Sequence, residues 1–388
     1  MIPFNRPYTV GREHANIEEA IALGQLSGNG VFGRRCSEWL RGRVGSAEAL
    51  ITPSCSAALE MAIILAGIGP GDEVIMPSFT FVSTANAVAV RGGVPVFVDI
   101  REDTLNIDET KIEGAITERT RAIVVVHYAG VACDMDPIMR VARAYNLMVI
   151  EDAAHGIQSA YRGRPLGSIG DLATFSFHET KNVQCGEGGA LLVNDPALVR
   201  PAEILQDKGT NRRSFFRGEV DKYTWVDVGS SYLLSELAAA FLWAQLEHAE
   251  EITARRLAIW HAYQDALAPL EELGVRRPIV PADCVHNAHL YYLLLPDAAL
   301  RPAFLEGLKE LGVQSVFHYV PLHSSPGGER FARAAGDLPV TDLQSARLIR
   351  LPVWVGMTDA QVRQVIAAVT ATAQRLLSAP TASSRRAA

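Results

Sequence analysis

No stretch of this chain approaches the roughly 20 consecutive apolar residues that a bilayer-spanning helix requires. The opening Met1-Ile2-Pro3-Phe4-Asn5-Arg6 lacks the apolar core of a secretory signal. Long basic stripes are missing as well, and the formal net charge is −7, which argues against nucleic acid as a partner. Cys36, Cys55, Cys133, Cys185 and Cys284 stand singly, without the spacing of a metal site or a disulfide framework. Reduced thiols in a cytoplasmic setting follow from that pattern. Cys185 has no base beside it in the sequence and reads as a small buried filler rather than a nucleophile. His127, His155, His178, His318 and His323 form no paired-histidine helix motif and have no cysteine support, so no metal is expected.

What the chain has in quantity is apolar surface, 48% of its 388 residues, enough for a large core and a second, smaller one. The first two-thirds alternate helical patterns with short apolar strands. These are Ala49–Ser54, Glu73–Pro77, Val94–Ile100, Ala122–Tyr128, Leu147–Ile150, Ala173–Phe177 and Gly189–Asn194, about seven in all. Continuous β-branched runs between helices predict a mostly parallel sheet covered on both faces, an α/β protein with three αβα layers. From about Gln245 the pattern changes. One long amphipathic helix is expected over Leu246–Leu270, then strands at Leu290–Leu295 and Val313–Tyr319 mixed with helices, giving a smaller α+β domain. The expected division is residues 1–245, residues 246–377, and a small polar tail over 378–388 that composition marks as disordered.

The chemistry concentrates at one strand end. Leu147-Met148-Val149-Ile150 runs into Glu151-Asp152-Ala153-Ala154-His155-Gly156, and Thr174-Phe175-Ser176-Phe177 leads to Lys181. Asp152 alone reads as a capping carboxylate, and Lys181 alone as a solvated surface amine. Together at the ends of apolar strands they suit pyridoxal phosphate. A carboxylate keeps the pyridine nitrogen protonated so that the ring draws electrons, and a lysine forms the Schiff base with the aldehyde. A buried aspartate also needs a cation to offset its desolvation, and a pyridinium is one. Ligands of such sheets lie beyond the carboxyl ends of the strands, where Asp152 and the Ser54-Cys55-Ser56 turn both fall.

The remaining requirements of that cofactor have candidates. Ser54-Cys55-Ser56-Ala57-Ala58 offers hydroxyls and small residues at a helix start, suited to a phosphate or to ordinary N-capping. Ser176 could add a hydroxyl. Phe79 and Phe81 could form a flat wall against the ring, with core packing as the alternative for either. Gly186-Glu187-Gly188-Gly189 is no dinucleotide fingerprint and reads as a tight turn back into the sheet. Lys208-Gly209-Thr210-Asn211-Arg212-Arg213, the densest basic run, is a solvated loop or a site for a diphosphate-bearing substrate.

Several longer stretches resemble the DegT/StrS-type sugar-nucleotide aminotransferases, nearest to the dTDP-4-amino-4,6-dideoxygalactose transaminases. They are Thr52-Pro53-Ser54-Cys55, Val126–Cys133, Ser176–Asn182, Lys208–Arg212, Asp221–Trp225 and Phe317–His323. The resemblance runs from Pro3 to about Leu377 and implies an aspartate-aminotransferase-like fold. It implies that Lys181 forms the Schiff base and Asp152 pairs with the pyridine nitrogen. His155 then lies beside the ring, Phe81 stacks on it, and Cys55, Ser56 and Ser176 surround the phosphate. His318 and Tyr319 match positions near the sugar. Ser231 and Leu233 stand where many relatives carry Asn and Arg, the Asn reaching the partner subunit's phosphate. A homodimer remains the state the resemblance implies. So does transfer of an amino group from L-glutamate to the C4 ketone of a nucleotide sugar. A related dehydratase carries His at the lysine position, and a non-catalytic member of the fold would have lost Asp152 or Lys181. Both residues are present here.

Overall fold

In the computed structural model, which describes residues 1–377, the seven expected strands are all present. They are β1 (Glu48–Thr52), β2 (Glu73–Pro77), β3 (Val94–Val98), β4 (Thr120–Val126), β5 (Met148–Asp152), β6 (Leu172–Ser176) and β7 (Gly189–Val193). An eighth, β8, is only Arg333–Ala334 and comes from far down the chain. The order is β1-β7-β6-β5-β4-β2-β3-β8. Only β7 runs antiparallel to its neighbours, β1 and β6. The expected tail over 378–388 lies outside the described residues.

Strand alternation explains how this sheet is covered. Val74, Met76, Ala122, Val124 and Ile150 enter one apolar cluster. Ile75, Ile123, Val125 and Val149 enter another, on the opposite face. That parity separates the acidic pair at the end of β5. Glu151 points with Val149, and Asp152 with Ile150. Register then sets Val126, Asp152 and Thr174 side by side across β4, β5 and β6. The Cys55–Leu65 helix begins directly after β1, with Ser54 as its cap: the Ser54 hydroxyl accepts from the Ala57 N–H at 3.1 Å. It lies so close to β7 that a Cβ on Gly189 would sit 2.4 Å from the Cys55 nitrogen.

A separate core gathers Tyr263, Tyr291, Phe304, Leu308, Val365 and Val369 with Ile2 from the N-terminus. The single helix expected over Leu246–Leu270 is instead two, Glu236–Glu247 and Ala249–Ala266, meeting at His248, where φ −109° and ψ 13° leave the helical range. The first starts earlier than expected because Ser235 caps it and its faces are nearly all apolar, so no amphipathic period marks its onset. Ala249 and Ile252 of the second helix pack in the large body, and Ile259, Trp260 and Tyr263 in the smaller core. The expected strand at Leu290–Leu295 is Tyr291–Leu294, paired antiparallel with Leu348–Leu351. Val313–Tyr319 does not form a strand. Its backbone makes isolated bridges, Val313 with Ile2 and Val316 with Arg350, so no continuous ladder develops.

Candidate active site

Val126, Asp152 and Ser176, the last residues of β4, β5 and β6, line one cavity of about 500 Å³. Lys181 and His155 reach it from the turns beyond β6 and β5. Cys55, Ser56 and Phe81 enter from the starts of two helices, Cys55–Leu65 and Val82–Ala89. His318 and Tyr319 close it from the segment that precedes residue 320. Every residue that the resemblance places around the cofactor or near the sugar within one subunit therefore faces the same space.

Asp152 is 4% exposed and has no ion-pair partner within 4 Å among the described residues. Its Oδ2 accepts from the Thr84 hydroxyl at 2.7 Å, and Thr84 in turn accepts from Thr80 at 2.8 Å. Its Oδ1 accepts from the Ala154 N–H at 3.2 Å. Burial raises its pKa, opposed by the Thr84 and Ala154 hydrogen bonds and by the Lys181 charge. Glu151, on the other face, is fully buried yet held below the ordinary carboxylate range. Burial works to raise it, but His127 Nε2 donates at 2.9 Å and the N–H groups of Gly167, Ile169 and Gly170 add three more bonds. One carboxylate is thus satisfied by the protein. The other awaits a cation.

Lys181 follows β6 in a turn closed by its own N–H donating to the His178 carbonyl at 2.8 Å. Burial lowers its pKa, which favours a free amine. His155 Nδ1 accepts from the Ala129 N–H at 3.3 Å, so its proton belongs on Nε2. Its ring stacks on His289, centroids 4.0 Å apart, and burial pushes both imidazoles well below their usual pKa. His289 Nδ1 donates to Asn182 Oδ1 at 3.0 Å, which ties this stack to the residue after Lys181.

Residues 8–370 match the DegT/DnrJ/EryC1/StrS aminotransferase family. The chain belongs to that family. It is 36% identical over 376 residues to the spore coat polysaccharide biosynthesis protein SpsC of Bacillus subtilis, covering 95% of this chain and 96% of SpsC. Its backbone superposes on DesI, solved in the presence of its TDP-sugar product, with a TM-score of 0.85 and 31% identity, over 96% of this chain and 92% of that one. The PLP form of Spr1654 from Streptococcus pneumoniae, described as a candidate sugar aminotransferase, gives 0.88 at 25% identity, over 96% and 99%.

As a member of this aminotransferase family the chain offers pyridoxal phosphate a fitting site. Asp152 is the buried acid without a counter-cation, and Lys181 a half-buried amine facing the same cavity. The close approach of Gly189 to the Cys55 turn leaves that helix start open to the cavity. Ser54 is occupied in capping, while Ser56 hydrogen-bonds Ser83 at 2.7 Å, pairing hydroxyls from two helix starts for a phosphate. Burial, reinforced by the Asp152 charge, pushes the Cys55 thiol up to about 12, so it stays neutral against an anion. Of the two phenylalanines, Phe81 is 58% exposed and lines the cavity. Phe79 is buried and props Tyr128 and Tyr319 edge-on at 5.0 and 5.5 Å.

Several functional side chains escape a reading of the sequence. Thr84, Ser83, His289 and Arg350 carry no local motif, Tyr128 has no role assigned by the Val126–Cys133 stretch that contains it, and each matters through a partner distant in the chain. The Tyr128 hydroxyl meets His318 Nδ1 at 3.1 Å, for example, across 190 residues. The basic run, read from the sequence as a solvated loop or a site for a diphosphate, lies apart from the cavity. Lys208 binds Asp207 at 2.9 Å, Arg213 approaches Glu203 at 3.4 Å, and none of the run lines the cavity.

Proposed function

We propose that the protein transfers the amino group of L-glutamate to the C4 ketone of dTDP-4-keto-6-deoxy-D-glucose, giving a dTDP-4-amino-4,6-dideoxyhexose and 2-oxoglutarate. The observation that carries this reading is the pairing of a buried, cation-free Asp152 with a half-buried Lys181 amine across one cavity. DesI, with its TDP-sugar product, supports a nucleotide-sugar substrate, and SpsC supports a place in polysaccharide synthesis. The 4-position and the 6-deoxyhexose rest on the sequence resemblance.

Bound pyridoxal phosphate supplies an aldehyde that takes up the amine and a ring that draws electrons from the carbon losing its proton. Asp152 holds the proton on the ring nitrogen. The Lys181 amine, its pKa lowered by burial, takes the proton from the donor's α-carbon, and in the second half-reaction it delivers a proton to C4 of the sugar. Phe81, His155 and the paired hydroxyls of Ser56 and Ser83 bind and orient the cofactor. His318 and Tyr319 face the same space and would meet the sugar. The exposed apolar segment around Trp225 supports a homodimer.

The test is proton NMR of the product formed from L-glutamate and dTDP-4-keto-6-deoxyglucose by the cofactor-loaded protein. An aminated sugar is the expected result, a small H3–H4 coupling marking an axial amine, the galacto product, and a large one the gluco epimer. Absence of any aminated sugar, from protein that still reacts with glutamate, would overturn the substrate. Lys181→Ala is expected to abolish both half-reactions while cofactor still binds, and turnover by that variant would overturn the lysine's role.

A further inference from the structure

Thr84 lies in the first turn of the Val82–Ala89 helix, whose start has no side-chain cap. It is 1% exposed and stands behind Asp152, outside the cavity lining. A threonine in such a place ordinarily bonds a backbone carbonyl one turn back or faces water. Here the hydroxyl turns to Asp152 and donates to Oδ2 at 2.7 Å. A hydroxyl has one proton to give, so with that proton committed Thr84 accepts from the Thr80 hydroxyl, 2.8 Å away. Thr80 is equally buried and borders the cavity.

The two carboxylates at the end of β5 are served unequally. Glu151 takes four donors, whereas Asp152 takes one on each oxygen, Thr84 on Oδ2 and the Ala154 N–H on Oδ1. One donor per oxygen fixes the plane of the carboxylate and leaves lone pairs free for the cavity that Asp152 lines. Between a carboxylate and a pyridine nitrogen the proton rests with the stronger base, so whatever weakens the carboxylate as a base keeps the ring charged. Burial strengthens it, raising the Asp152 pKa, and the Thr84 hydroxyl heads the contributions that oppose burial. The bond that Thr84 receives from Thr80 polarises its hydroxyl and strengthens the bond it gives. The same turn sends Phe81 to the cavity and Ser83 to Ser56, so one helix start aligns the acid with the rest of the cofactor site.

We propose that Thr84, backed by Thr80, is a positioning residue that keeps Asp152 ionised and aimed, so that the proton stays on the ring nitrogen of bound pyridoxal phosphate. The assignment rests on the aminotransferase reading given above, but not on the identity of the sugar. Thr84 acts through the acid alone.

The test is nitrogen NMR of the protein loaded with cofactor isotopically labelled at the ring nitrogen, read beside single-turnover kinetics with L-glutamate. Wild type is expected to show a protonated ring nitrogen. Thr84→Val keeps the branched shape and removes the donor. Its ring-nitrogen signal is expected to move toward the unprotonated position, and its glutamate half-reaction to slow by about tenfold. Thr84→Ser returns the hydroxyl and is expected to restore both. Thr80→Val leaves the bond to Asp152 in place and is expected to move both the same way by less. A ring-nitrogen signal unchanged in Thr84→Val, whatever its rate or melting temperature, would overturn the assignment, as would failure of Thr84→Ser to restore it. Should Thr84→Val not fold, an unchanged signal in Thr80→Val would do the same. Wild type that shows the protonated ring and reacts with glutamate but aminates no sugar loses the substrate reading and leaves this assignment standing.

Discussion

A carboxylate buried without a cation is a stability cost that the cofactor can relieve, and Asp152 is such a group. With its folded pKa raised, the native state binds more protons than the unfolded chain between the ordinary value of 3.8 and the raised one. Stability of the cofactor-free protein therefore falls as pH rises through that window. Asp152→Asn removes the dependence. At about pH 8 the cofactor-free variant is expected to melt above wild type, with the gap closing in acid. Its glutamate half-reaction is expected to slow by at least about a hundredfold. A lower melting temperature for the variant at that pH would show that the carboxylate is already compensated. Asp152 and Lys181 were legible in the sequence because each follows a short apolar run, so strand-end position and residue type coincide. Thr84 and Arg350 were not. Thr84 sits 68 residues from the acid it serves, and Arg350 lies in a strand whose apolar pattern says nothing of the side chain that faces the cavity.

Elements are fastened by a few buried acids as much as by apolar packing. Glu236, 1% exposed, accepts from the N–H groups of Gly30, Phe32 and Gly33 at 2.8–3.0 Å, so it caps the Val31–Val44 helix from another helix. A Cβ on Gly30 would lie 2.4 Å from the Glu236 Cδ, which is why that turn holds glycine. Glu73 does the same for the sheet edge. Starting β2, it takes two bonds from Arg333 of β8, at 3.1 and 2.7 Å, and others from Arg119 and Thr117. The Arg333 bond, with those from Thr117 and Arg119, outweighs burial and lowers its pKa from 4.5 to about 2. A depressed carboxylate stabilises above its unfolded value, so this contribution is full above 4.5 and lost as pH falls toward 2. Glu73→Gln is expected to cost about 1–3 kcal/mol in urea unfolding at neutral pH, and much less near pH 2. A cost independent of pH would mean that shape, not charge, holds β8. The sequence could mark β2 by its apolar run, but β8 has two residues and exists only because β3 and Glu73 receive it.

At the scale of the whole molecule, an exposed apolar segment stands out among the described residues. Between Phe215 and Ser231 the chain is almost wholly exposed, with Phe216 at 71%, Trp225 at 77% and Val228 at 57%. It is anchored by a handful of backbone bonds, such as Lys208 N–H to Ser230 at 2.9 Å and Val226 N–H to Gly209 at 2.8 Å. Aromatic residues clustered on such a segment are poor solvent surface and good interface surface. Composition alone hid this, because Tyr223 and Trp225 read equally well as core residues until the fold places them outside. The proposed homodimer assigns them a second copy of the chain. Under that proposal the basic run beside them, from Lys208 to Arg213, could meet the partner's cavity rather than its own. Trp225→Glu puts a charge into the contact and is expected to sediment as a monomer. Its sugar half-reaction should weaken by about tenfold or more in KM, while the melting temperature of the protomer stays near that of wild type. Wild-type protein that sediments as a monomer at full activity would remove the dimer, and with it the only surface argument that connects Trp225 to the site.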